Sequence, residues 1–116
     1  DIMAYANDLN LDAYYLYTSC TNYQSDGPDA ILPVQLLAGE GLQAQYQQLN
    51  PYGDGSLYLL SDCTDTTSCL VGDDQYPGGE SINYMNTSGA TEDLFLVLDC
   101  YWGYDCGPFD LGLTIQ

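Results

Sequence analysis

The chain has 116 residues, with 17 Asp and Glu and no Lys, Arg or His, giving a formal net charge of -17. It is long enough for one domain with its own core, and an apolar share of 46% argues against a disordered chain. Without a basic side chain it forms no side-chain salt bridge and offers nothing to bind nucleic-acid phosphates or an anionic membrane surface.

In chain order, residues 1–17 (DIMAYANDLNLDAYYLY) form an N-terminal arm and a first extended segment, in which Leu9, Leu11 and Ala13 alternate with polar residues. Residues 18–116 make up a β-sandwich domain. They open on a Ser/Thr/Asn/Asp loop over Thr18–Asp29 that contains Cys20. Ala30–Leu37 is an apolar strand whose internal Pro33 places it at an edge or a bulge. Ala38-Gly39-Glu40-Gly41 is expected to be a hairpin turn. In Leu42–Leu49 the residues Leu42, Ala44 and Tyr46 face one way and Gln43, Gln45 and Gln47 the other.

A turn-rich entry with Pro51, Gly53, Asp54 and Gly55 leads into the apolar strand Ser56–Leu60 and then a cysteine-bounded hairpin loop, Cys63–Cys69. Val71–Glu80 is expected to be a long acidic loop, Ser81–Met85 a strand and Asn86–Asp93 a turn. The strand Leu94–Leu98 runs through Asp99 into a second cysteine-bounded loop, Cys100–Cys106. In the final strand Phe109, Leu111, Leu113 and Ile115 share a face opposite Asp110, Gly112 and Thr114. Short strands with turn signals between them, and no long helical period, predict an all-β antiparallel sandwich.

The ordered set GPD (Gly27–Asp29), AGEG, GDGSLYLLSDC…SC, VGDD, GGESINYMNTSG, LFLVLDCYWG and GPFDLGLTI resembles bacterial pre-peptidase C-terminal (PPC) type domains, over roughly Asp8 to Gln116. The resemblance implies a jelly-roll-like sandwich, non-catalytic, of the kind appended to secreted enzymes and surface proteins. Some such domains bind calcium, proteins or polysaccharides. The chain departs from the pattern at Pro33 and in having no basic residue.

Five cysteines in a short chain point to an oxidising, extracellular or cell-surface setting. A chain opening at Asp1 without an apolar leader reads as a mature product, and no apolar run approaches the roughly 20 residues of a spanning helix. Disulfides Cys63–Cys69 and Cys100–Cys106 would each pin a loop, leaving Cys20 as a buried thiol, a cross-pairing partner or a link to a second chain. Four-cysteine zinc is the weaker alternative, because its ligand pairs sit closer together.

With no His and no Lys, nucleophilic catalysis lacks a base, and the acidic residues lie mostly in turns, so no enzymatic role is expected. Asn7, Asp8 and Asp12, then Asp26 and Asp29, then Asp73, Asp74 and Glu80 are oxygen-rich clusters suited to Ca²⁺; a solvated acidic surface accounts for them equally well. Asn86-Thr87-Ser88 is a glycosylation sequon on an expected turn. Tyr101, Trp102 and Tyr104 are the aromatic cluster fitted to stacking on a glycan or a protein, or to packing on the sandwich.

Two functions fit these features. The first is a secreted structural subunit that self-associates into a fibre or surface layer, with the arm Asp1–Ala6 adding a strand to a neighbour's open edge. The second is a calcium-dependent module that binds a glycan or a surface protein.

Overall fold

The computed structural model describes residues 30–49, 55–75, 79–100 and 108–116. The N-terminal arm lies outside them. The described chain is all-β: β1 (Ala30–Leu36), β2 (Gly41–Gln48), β3 (Gly55–Leu60), β4 (Cys69–Asp73), β5 (Glu80–Met85), β6 (Glu92–Cys100) and β7 (Phe109–Ile115), with one 3-10 turn at Thr66–Ser68. The strands form two sheets, ordered β1-β6-β3-β4 and β5-β2-β7, with every neighbouring pair antiparallel. The pairings β1 with β6, β2 with β5 and β3 with β4 are nested inside one another.

The two sheets share one core. The alternating residues Leu42, Ala44 and Tyr46 of β2 meet Val34 and Leu36 of β1, Leu57 and Leu59 of β3, Ile82 of β5 and Leu94, Leu96 and Leu98 of β6. Period-two alternation sends one set inward and leaves Gln43, Gln45 and Gln47 exposed. Tyr46 meets Phe109 edge-on, ring centroids 5.5 Å apart at 78°.

Strand β3 departs from alternation because both of its faces are buried. Its second face carries Tyr58 and Leu60, which cluster with Val97 on the outer side of the four-stranded sheet, where Ile31 and Phe95 pack against them. Asp99 is fully buried on that side, and Tyr58 donates a 2.6 Å hydrogen bond to its Oδ2. The bond replaces part of the hydration that the carboxylate loses on burial.

Three expectations are corrected. Residues Ala38–Gly41 do not make a hairpin: Gly39 turns with φ 85°, but β1 and β2 enter opposite sheets, so the turn crosses between layers. The bend is held by Glu40, whose backbone N–H donates to the Leu37 carbonyl and whose Oε2 accepts from the Leu37 N–H. The expected acidic loop after Cys69 begins as strand β4, because Val71, Gly72 and Asp73 pair with Leu59, Tyr58 and Leu57.

The Cys63–Cys69 disulfide is not formed. Cys63 is a free thiol and Cys69 is disulfide-bonded. Cys69 lies in the ladder opposite Leu60, whereas Cys63 sits out in the connecting loop. That loop is shaped by carboxylates instead: Asp62 accepts from the backbone N–H and hydroxyl of Thr64, and Asp65 from those of Thr67. The Thr64 backbone N–H, and then its hydroxyl, hold the Asp62 carboxyl below its ordinary range.

Candidate functional site

The two flanks of the sandwich differ. On one, β5 lies beside β4 and joins the layers. On the other, β7 pairs only with β2 among the described strands. Gly41 and Gln116 exchange both backbone hydrogen bonds, at 2.7 and 3.0 Å. From that pair, antiparallel alternation assigns the N–H and C=O groups of Thr114, Gly112 and Asp110 to β2. Those of Phe109, Leu111, Leu113 and Ile115 point away from β2, along an edge that no described strand covers.

The side chains of β7 tell the same story. Phe109, Leu111, Leu113 and Ile115 lie on the core side, in register with Gln48, Tyr46, Ala44 and Leu42. Their partners on β2 are buried, yet Leu113 and Ile115 are 44% and 42% exposed. A core-side stripe that remains wet marks an edge that no described strand covers.

The remaining edge strands are blunted. β1 carries Pro33 at its centre, opposite Phe95. β4 has five residues and an irregular register at Leu59/Leu60. β5 is flanked by β4. β7 has none of these devices and only one charged residue, Asp110.

The outer face of the three-stranded sheet is a second feature. Gln43 stands between Asn83 and Thr114, and Gln45 between Ser81 and Gly112. Near its end a groove of about 480 Å³ is lined by Gln43, Asn83, Met85, Thr114 and Gln116 together with Gly41, Leu42 and Tyr84. Its lining side chains supply amides, hydroxyls and a thioether and none is charged. Tyr84 turns its hydroxyl to both Glu92 carboxylate oxygens at 3.1 Å, and burial together with that carboxylate raises its pKa.

A buried polar corner lies at the other end of β2, where Gln48 Nε2 donates to the Tyr46 hydroxyl. Burial, then the charge of the nearly buried Glu80, raises the Tyr46 pKa. Gly55 is required here, because a Cβ would fall 2.6 Å from Tyr46 Cε1 and 2.7 Å from Gln48 Nε2.

The residues expected to act are placed unevenly. Asn7, Asp8, Asp12, Asp26 and Asp29, Cys20 and Cys106, and Tyr101, Trp102 and Tyr104 fall outside the described residues, as does the side chain of Cys100. Asp73, Asp74 and Glu80 do not converge: among the described residues no three His, Cys, Asp or Glu side chains form a group able to hold a metal ion. Asp73 caps the start of β5, its Oδ2 accepting from the Ser81 N–H at 2.8 Å, while Glu80 is 2% exposed.

Asn86 is not the accessible turn residue that the sequon reading expects. It is fully buried, and Nδ2, the atom a glycan would occupy, donates to the carbonyls of Leu36, Leu37 and Ala90 at 3.0, 3.2 and 2.7 Å. Its Oδ1 accepts from the backbone N–H and hydroxyl of Ser88. The Asn-Thr-Ser triplet is thus a turn motif tying the β5–β6 connection to the end of β1.

Fold and edge together define an antiparallel β-sandwich in which, among the described strands, β7 has an unblunted edge. No family model matches the chain, and no curated protein or solved structure matches it. The resemblance to PPC-type domains rests on the sequence motifs alone. Pro33 marks β1 as an edge or a bulge from sequence, whereas nothing in FDLGLTI reports that no described strand lies on the far side of β7.

Proposed function

We propose that this chain is a non-catalytic, extracellular structural subunit that self-associates into a fibre or surface layer. The observation that carries the proposal is β7, a seven-residue edge with outward backbone groups and two exposed core-side apolar residues. Strand addition at such an edge satisfies the backbone and covers the apolar stripe in one step. The nested strand pairing is that expected of a jelly-roll winding and supports the kinship with PPC-type domains. A disulfide at Cys69 suits an oxidising compartment. Countercharge for a chain of net charge -17 comes from the medium, Ca²⁺ included.

Light scattering on the intact protein, in calcium and again after chelation, tests this. Particles larger than the 12.7 kDa chain are expected; a monomer in both conditions would overturn the proposal. The groove on the three-stranded sheet, lined by uncharged side chains, favours a second function, a module that binds a neutral glycan or a protein. Retention on a neutral polysaccharide, lost on Gln43→Ala, would select it.

A further inference from the structure

We infer that β7 pairs antiparallel with β7 of a second copy, about a two-fold axis at Gly112. The inference rests on the self-association proposed above and names the joint. The occupant is β7 of a second copy: it carries one charged residue, Asp110, and so brings little of the chain's net charge of -17 to the edge. A copy's β7 therefore approaches with little repulsion and with the same unspent backbone groups.

One register uses all of those groups. Centring the pair on Gly112 sets Leu111 opposite the partner's Leu113, and Phe109 opposite the partner's Ile115. These are the residues whose N–H and C=O groups point away from β2, so about eight inter-strand bonds form across the axis. The two Asp110 side chains are kept apart, each facing a Thr114. Gly112 meets its own copy in the non-hydrogen-bonded position, where the Cα atoms of the two strands come closest. The exposed Leu113 and Ile115 continue into the partner's Leu111 and Phe109, joining the two three-stranded sheets into one of six. The contact is isologous and closes on itself, so the two-fold pair is the unit from which a fibre or layer grows through other surfaces.

The test uses the full chain in a Cys63→Ser background, which removes the one thiol that is free among the described residues. Gly112→Cys is compatible with the fold: a Cβ there meets nothing closer than 4.0 Å. On oxidation it should give a covalent dimer linked through position 112, located by mass spectrometry after cleavage at acidic residues, since trypsin has no site. Leu113→Pro removes an N–H that points away from β2 and places a ring on the edge. It should leave the circular dichroism unchanged and abolish the dimer over the concentrations at which the parent protein forms it. Should Leu113→Pro fail to fold, the cross-link alone decides.

A parent protein that assembles, with no linkage through position 112, overturns the symmetric joint while self-association stands. Loss of assembly in Leu113→Pro without that linkage also overturns it and assigns the edge to another segment. A parent protein that is monomeric throughout overturns the joint and the self-association together.

Discussion

Asn86 ties the β5–β6 connection to the end of β1 through one buried side chain. Three carbonyls from two connections converge on its Nδ2, and Ser88 closes on its Oδ1. Its backbone joins in, the N–H donating to the Glu40 carbonyl and the C=O accepting from Gly39. Asn86→Ala strands buried acceptors at the end of β1 and should cost about 2–4 kcal/mol. Thermal unfolding should show a drop of roughly 10 °C; a drop of one or two degrees would mean that water replaces the amide at no cost. Tyr46 sets a limit at high pH. Burial and Glu80 hold its folded pKa above the unfolded value of about 10, so the folded state keeps a proton that the unfolded state releases. Its contribution is complete below pH 10 and is lost as pH rises beyond it. Urea midpoints from pH 8 to 11 should fall more steeply in the parent protein than in Tyr46→Phe, and parallel slopes would remove Tyr46 as the cause.

At the scale of the element, what the sequence revealed follows from what each strand buries. In β2 one face is core and one is solvent, so alternation alone identified the buried Leu42, Ala44 and Tyr46. β7 was equally legible in period and face, but its exposure was not: no property of Leu113 or Ile115 reports whether a strand lies beside them. β4 was hidden for the opposite reason. Cys69–Asp73 has weak strand character and becomes a strand through its pairing with β3. The turn at Ala38–Gly41 was recognisable from its glycines, whereas its crossing between sheets depends on the nested pairing of distant strands. Equal spacing of cysteines suggested a local disulfide that the β3–β4 ladder does not make, because it seats Cys69 in a strand and leaves Cys63 in the loop. The sequon failed on burial, which a triplet of residue types does not encode.

At the scale of the whole molecule, charge fixes the sign of one experiment. Most assemblies with charged contacts weaken as salt rises, because screening removes attraction between opposite charges. This chain has no positive side chain, so screening removes repulsion only. At about 0.01 M salt the Debye length is roughly 30 Å, comparable to a small domain, and two copies feel most of each other's charge. At about 0.1 M it is roughly 10 Å, and contact through the nearly uncharged β7 brings few carboxylates within range. Sedimentation velocity at fixed protein concentration should therefore show association growing steadily from about 0.01 M to 0.5 M sodium chloride. Calcium chloride matched for ionic strength separates screening from binding: equal curves assign the effect to screening, and a stronger effect in calcium assigns a bound ion. Association that falls with salt would mean a contact held by attraction between charges or dipoles that the β7 stripe does not possess, and the joint would have to be sought elsewhere on the molecule.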